Sequence, residues 1–165
     1  TRSSSVMSFN VDGYTLGGDG DTNAAYNYVS WNWKGGTTSG ITTNGSTTIT
    51  PSSYSFNQTS GFSILAYTGN ITSGAKLAHG LGATPSMIII KCLDNADNWA
   101  VYNKGMDATA PEDYAVYLNE LTTRDNSDSY WNDTAHDSVN ITLGNGDLTN
   151  RAASLIAYVW VEKKG

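Results

Sequence analysis

The chain has 165 residues, enough for one ordinary domain and part of a second. Charged residues make up only 15% of it, against about 25% in soluble globular chains, whereas hydrophobic residues reach 39% and can form a core. The net charge of −6 argues against nucleic acid as a partner, and the lack of an apolar run of about 18 residues argues against a membrane span.

Strand-forming runs recur at short spacing between Gly, Asn, Asp, Ser and Pro residues, and no segment keeps a helical period for more than two turns. We therefore predict an all-β fold, an antiparallel β-sandwich or jelly-roll-like domain with negligible helix, below about one residue in ten. The predicted strands lie near residues 4–9, 13–17, 26–34, 45–50, 61–68, 75–78, 86–93, 98–103, 113–119, 138–143 and 154–162.

The densest run of β-forming residues covers positions 26–34, in which Val29, Trp31 and Trp33 occupy alternate positions. This alternation predicts a strand whose odd-numbered face points toward a core. Residues 35–60 are different, because Thr, Ser, Gly and Asn dominate there and apolar side chains are few. They are predicted to form a linker, or edge strands around Ile41 and Ile49.

Two later runs, 86–93 and 154–162, are apolar on both faces, which indicates central strands. The first of them contains Cys92, the only cysteine of the chain. A single cysteine excludes an internal disulfide and a cysteine-based zinc site. Its apolar surroundings predict a buried structural thiol rather than a nucleophile.

An internal repeat links the first and last parts of the chain. Chance in a biased composition is the alternative explanation, but the matches run without a gap and end on a shared tryptophan. The matches that share one constant spacing are Thr-Leu-Gly at 15–17 and 142–144, Thr-Asn at 22–23 and 149–150, and Trp33 with Trp160. Further upstream, Thr1 matches Thr134 at a slightly longer spacing.

The repeat predicts three parts. Residues 1–34 are the C-terminal strands of a preceding repeat, or swapped strands. Residues 35–60 are the linker or edge strands, and residues 61–165 are a β-sandwich module.

Three polar clusters are candidates for metal or catalytic sites. His79 lies beside two glycines and Pro85 with no partner acid or nucleophile nearby, which favours a structural turn. Residues 19–23 place oxygen-bearing side chains at alternate positions, but Ala24 stands where a calcium loop needs glycine, so a hairpin turn is expected. Asp133, His136 and Asp137 have no spacing link to a second imidazole. We therefore expect no catalytic residue, no metal and no cofactor.

Aromatic side chains near turns, which we expect to be exposed, are the candidates for ligand binding. A Trp or Tyr ring can stack on a sugar, although such rings more often fill cores and subunit contacts. The candidates are Trp99, Tyr102, Tyr130 and Trp131.

A series of short motifs, in a fixed order, resembles a repeated domain common in marine and cyanobacterial phage genomes, whose proteins are labelled tail-fibre-like or virion structural proteins. Residues 1–34 look like the end of the preceding copy in such an array. The resemblance implies no established catalytic residues. The motifs are Gly-Phe-Ser-Ile at 61–64, Tyr-Thr-Gly-Asn at 67–70, His-Gly-Leu-Gly-Ala-Thr-Pro at 79–85, Ile-Ile-Lys at 89–91, Trp-Ala-Val-Tyr at 99–102, Trp-Asn-Asp-Thr at 131–134 and Ile-Ala-Tyr at 156–158.

The function expected from these observations is structural and not enzymatic. The chain would be a module of a phage tail fibre, or of another virion-surface or extracellular appendage, acting by assembly and by contact with the host surface. Its partners would be other copies of itself, neighbouring appendage subunits and host-surface glycan, but neither nucleic acid nor membrane. The alternative is a carbohydrate-binding module of a secreted adhesin or enzyme.

Overall fold

The computed structural model describes residues 5–163, and the chain divides into two compact units, residues 1–32 and 33–165. Strand accounts for 33% of the chain and helix for 7%, and the sheets are antiparallel, which confirms the predicted all-β, sandwich-like fold with little helix. The strands are β1 (Val6–Phe9), β2 (Tyr14–Leu16), β3 (Ser53–Asn57), β4 (Phe62–Thr68), β5 (Ala75–Ala78), β6 (Met87–Cys92), β7 (Ala100–Asn103), β8 (Tyr114–Tyr117), β9 (Asp125–Asn126), β10 (Asn140–Leu143) and β11 (Ser154–Trp160). The helices are α1 (Asp128–Trp131), α2 (Asp147–Asn150) and a single 3-10 turn at Pro111–Asp113.

The first unit contains one hairpin, in which β1 and β2 pair antiparallel from Phe9 opposite Tyr14 to Val6 opposite Leu16. A turn at residues 19–23 follows. The prediction of a strand over residues 26–34 is wrong, because residues 27–33 form no strand in the described part of the chain. A β-strand is stable only when its backbone pairs with another strand, and β-propensity alone does not supply that partner.

The second unit contains a seven-stranded antiparallel sheet, the main sheet, in the order β3-β4-β11-β6-β7-β8-β9. Strand β11 lies between β4 and β6, with Trp160 opposite both Phe62 and Met87. Strands β6 and β11 are therefore interior, as their apolar runs predicted. Their inward side chains are fully buried, and these include Cys92, which confirms that its thiol is buried.

A smaller layer covers the inner face of the main sheet. It consists of β5 and β10, which pair antiparallel, together with Ile49, which bridges to Leu77 of β5. A single hydrophobic cluster joins side chains from both layers, including Leu65, Ile90, Ile141 and Leu155. This packing of a large sheet on a small one is the reason the fold is sandwich-like.

Residues 35–60 hold more structure than a linker would. They contain the edge strand β3, whose Phe56 is buried and exchanges backbone hydrogen bonds with Thr37 at 2.9 and 3.0 Å. The strand predicted at 45–50 is reduced to the bridge at Ile49. The edge strand of this segment therefore lies at 53–57, and not around Ile41 and Ile49 where the sequence suggested edge strands.

Candidate functional site

Three of the four aromatic candidates are core residues. Tyr102 and Tyr130 are buried and Trp131 is 0% exposed, whereas Trp99 is half-buried. Trp131 Nε1 donates to the carbonyl oxygen of Tyr114 at 3.0 Å, and its ring packs edge-on against Tyr102 with centroids 5.9 Å apart. The expectation that these rings are exposed is therefore wrong for Tyr102, Tyr130 and Trp131, which cannot stack on a sugar from these positions.

The hydroxyl of Tyr130 lies in a small polar cluster with Tyr117 and Asp125 at the end of the main sheet. It donates to Asp125 Oδ2 at 2.5 Å, and the Tyr117 hydroxyl lies 2.5 Å from that of Tyr130. Burial raises the pKa of Tyr130, and the hydrogen bond to Asp125 raises it further. Both phenols are therefore protonated at neutral pH, and the cluster ties β8, β9 and α1 together.

Both histidines are buried and bond to the backbone. Nδ1 of His79 accepts from the Leu81 amide at 3.3 Å, and its Nε2 lies 3.2 Å from the Asp137 carbonyl oxygen. Gly80 and Gly82 have φ values of +77° and +70°, so the structural turn predicted around His79 is confirmed. Nδ1 of His136 accepts from the Thr142 amide at 3.2 Å. Burial lowers the pKa of His136 to about 3, so its imidazole is neutral at pH 7.

The polar clusters hold no metal-ligand set. Within residues 5–163 no group of three or more His, Cys, Asp or Glu side chains could hold a metal ion. The stretch at 19–23 is a turn, in which the amides of Thr22 and Asn23 donate to the Asp19 carbonyl oxygen. It follows β2 and leads to residues 27–33, so it is not the hairpin turn that was predicted.

This turn has the same hydrogen bonds as the matched turn at residues 146–150. In the first copy, the amides of residues 22 and 23 donate to the carbonyl of residue 19 at 3.1 and 2.9 Å. In the second, the amides of residues 149 and 150 donate to the carbonyl of residue 146 at 3.3 and 2.9 Å. The asparagine side chain then bonds back to the glycine carbonyl that precedes the turn, at 2.9 Å from Asn23 to Gly17 and at 2.7 Å from Asn150 to Gly144. The sequence repeat is therefore also a repeat of local structure.

The two copies differ in their surroundings. Asn150 is 0% exposed, because the loop after β4 packs on it: the Asn70 amide donates to Asn150 Oδ1 at 2.8 Å, and Asn150 Nδ2 donates to the Thr72 carbonyl at 2.9 Å. Asn23, by contrast, is exposed. The repeat in the sequence identified these asparagines, but only the hydrogen bonds reveal that Asn150 fastens its turn to the loop after β4.

The segment that follows the first turn exposes large apolar side chains. Val29 is 76% exposed and Trp31 is 75% exposed, although their counterparts in the second copy, Ile156 and Tyr158, lie on the central strand β11. Trp33, the first residue of the second unit, stacks on Phe62 with centroids 5.8 Å apart and meets Trp160 edge-on at 5.1 Å. Clustered exposed apolar side chains are typical of interaction surfaces.

The main sheet also has an apolar outer face, on the side away from the core. An antiparallel sheet that faces water on one side normally carries polar side chains there. Here the half-buried side chains of three adjacent strands are mostly apolar, which is the composition of a surface that another layer covers. The apolar residues of this outer face are Ile64, Ala66, Met87, Ile89, Ile156, Tyr158 and Trp160, and Lys91 is the charged residue among them.

Comparison with known proteins identifies one family. A family model described as "Domain of unknown function (DUF7483)" matches residues 1–165. No curated protein and no solved structure matches the chain. None of the helices in residues 5–163 has both the length and the apolar character that a membrane crossing requires.

Proposed function

The chain belongs to the DUF7483 family over residues 1–165, and from this premise we propose that it is a structural, non-enzymatic module of a phage tail fibre or of another virion-surface or extracellular appendage. In this role it acts by assembly with other copies of itself or with neighbouring appendage subunits. Contact with host-surface glycan is part of the same proposal.

The observation that carries the proposal is the exposed apolar segment at residues 27–33. Val29 and Trp31 leave most of their side chains in water, at a cost of about 25 cal/mol for each Å² of apolar surface. A partner subunit that covered them would recover this free energy. The apolar outer face of the main sheet supports the same conclusion, since it offers a second surface for packing between modules.

The side chains that could have carried chemistry support a structural role. Both histidines and the Tyr117–Tyr130–Asp125 cluster are engaged in hydrogen bonds that hold loops and strands in place. The half-buried Trp99 is the aromatic candidate that stays near the surface for contact with a glycan. The alternative, a carbohydrate-binding module, is supported less well, because the other three candidate rings, Tyr102, Tyr130 and Trp131, are buried in the core and cannot stack on a sugar.

The proposal predicts that the protein from its natural source is an assembly of many copies. Light scattering after size-exclusion chromatography should give a mass many times that of the 17.6 kDa chain. Gold-labelled antibodies against the chain should decorate filaments on virions or cell surfaces in electron micrographs.

A glycan array is the control that separates assembly from carbohydrate binding. The purified chain should show at most weak binding that depends on Trp99, tested with Trp99→Ala. A single-copy protein that is free of particles would contradict the proposal. Tight, saturable binding to one glycan by that single-copy protein would favour the carbohydrate-binding module instead.

A further inference from the structure

We propose that the outer face of the main sheet is an interface at which two copies of this chain pack face to face, with their strands antiparallel across a two-fold axis. The proposal rests on the proposed function and deepens it, because it names the surface that joins one pair of modules. The partner is a second copy of the same chain, and both copies contribute the same surface.

The apolar part of the outer face crosses five adjacent strands without a break. Residues that lie directly opposite one another form a single row from β4 to β8, and each side chain in the row is apolar or aromatic. The row consists of Ile64, Tyr158, Ile89, Val101 and Val116. A continuous row of this kind is typical of a sheet face on which a second sheet packs.

The size of this face suits a dimer. Neighbouring strands lie about 4.8 Å apart and outward side chains repeat about every 6.8 Å, so each outward side chain covers about 33 Å² of flat area. The outward positions of the five strands therefore cover about 500 Å² in each copy. Two such faces together bury at least about 1,000 Å², which is the area that a specific interface between proteins needs.

One end of the outer face carries a projecting leucine. The Leu93 amide donates to the Ser154 carbonyl oxygen at 2.8 Å, so the pairing of β6 with β11 continues one residue past the end of β6. Because side chains alternate along a strand, Leu93 follows Ile89 and Lys91 on the outer side. Its large apolar side chain is 57% exposed. This leucine is therefore available to insert into a partner.

The opposite end of the outer face carries a hollow. It has a volume of about 410 Å³ and apolar walls formed by Trp33, Met87 and Trp160, with Asn103 at its rim. Met87 and Leu93 lie at opposite ends of β6, so an antiparallel pair places Leu93 of each copy over the hollow of the other. A parallel pair would instead set the two leucines against each other and leave both hollows unfilled. The shapes of the two ends therefore favour the antiparallel arrangement.

The charge of Lys91 does not obstruct this packing. Its ammonium donates to the carbonyl oxygens of Cys92 and Asn95, which holds the charge at the end of the face and leaves the aliphatic part of the side chain beside the apolar residues. In the antiparallel pair this end lies near the rim of the partner's hollow, where Lys104 and Glu162 form an exposed ion pair at 2.5 Å. The interface therefore keeps its charges at its wet edges.

The exposed segment at residues 27–33 gives such a pair a way to extend. An interface in which both copies use the same surface closes at two copies, so a longer assembly needs a second contact. Val29 and Trp31 are 76% and 75% exposed, and the prediction that this side of residues 26–34 faces a core is wrong in the described chain. In the proposed function these two side chains supply the second contact.

Sedimentation equilibrium of the full chain tests the interface. The variant with Val29→Ser and Trp31→Ser lacks the second contact and should form dimers that associate no further. Adding Leu93→Asp to it should raise the dissociation constant at least about 30-fold, because a carboxylate then faces an apolar hollow. Leu121→Asp is the matched control, since this leucine is 107% exposed and lies outside the strands of the main sheet, and it should change the constant less than about 3-fold.

Cross-linking tests the orientation. Leu93→Cys and Asn103→Cys in one chain place two thiols at opposite ends of the main sheet, roughly 20 Å apart within a copy but close together across the antiparallel pair. A short bismaleimide should link them between copies into a covalent dimer, whereas Leu93→Cys alone should give none, since the native Cys92 is buried.

The proposal is wrong if the chain stays monomeric, if Leu93→Asp and Leu121→Asp have equal effects, or if Leu93→Cys alone is linked as well as the double variant. The antibody labelling of filaments does not depend on the outer face. The proposed function and this inference can therefore fail separately.

Discussion

Replacing Trp131 by alanine should lower the free energy of unfolding by about 3–5 kcal/mol, the usual cost of removing a fully buried tryptophan side chain. The ring is 0% exposed and packs against Tyr102 and His136 with centroids 5.9 and 5.6 Å away. The substitution also leaves the carbonyl oxygen of Tyr114 without the indole donor. Urea denaturation followed by circular dichroism measures the loss.

Trp99→Ala is the matched control for this prediction. Its side chain is half-buried, so the expected loss is smaller, about 1–2 kcal/mol. Equal losses for the two variants, or a loss below about 1 kcal/mol for Trp131→Ala, would contradict the assignment of Trp131 to the core.

Acidification should destabilise the protein well before its carboxylates titrate. The pKa of His136 is about 3 in the folded chain, because burial and the nearby charges of His79 and Lys76 disfavour its protonation, against about 6.5 when it is unfolded. The unfolded chain therefore binds a proton that the folded chain does not, so the contribution is fully present above pH 6.5 and is lost as the pH falls toward 3. The loss is about 1.4 kcal/mol for each pH unit.

His79 acts in the same direction, since burial lowers its pKa as well. The free energy of unfolding, measured in urea between pH 6.5 and 4.5, should therefore fall with a slope greater than the value of about 1.4 kcal/mol per pH unit that one histidine contributes. His136→Asn keeps an acceptor atom for the Thr142 amide but cannot titrate, so it should remove about 1.4 kcal/mol per pH unit from the slope. An unchanged slope in this variant would show that His136 does not titrate as proposed.

The sequence predicts the interior strands and the first hairpin well, since the strands predicted near 4–9 and 13–17 correspond to β1 and β2, but it predicts residues 26–34 poorly. Strands β6 and β11 are apolar on both faces, which is typical of strands in the middle of a sheet, and the structure places both there. Residues 27–33 have the same β-forming character, yet they form no strand in the described chain, because pairing depends on another strand and not on the segment itself.

The exposure of Tyr130 and Trp131 was predicted wrongly for a related reason. Tyr130 and Trp131 lie in a turn-rich stretch, which suggested exposure. The four-residue helix α1 turns both rings inward, held by Ser127, whose Oγ accepts from the Ser129 amide at 3.2 Å, and by Asn132 at φ +58°. So short a helix has no periodicity that a sequence pattern could reveal. Strand β3 was missed because serine and asparagine occupy its outward positions, so that its inward pair, Tyr54 and Phe56, lies within a polar segment.

The most direct measurement of the account is hydrogen exchange on the native assembly and on the isolated chain, read at two matched segments. In the isolated chain, the amides of residues 154–160 should be strongly protected and those of 27–33 should exchange almost as fast as in an unfolded chain. In the native assembly, residues 154–160 should stay protected and the amides of residues 27–33 should exchange more slowly than in the isolated chain, because a partner subunit covers the exposed apolar side chains of Val29 and Trp31. If residues 27–33 exchange as fast in the assembly as in the isolated chain, no subunit covers this segment and the account is contradicted.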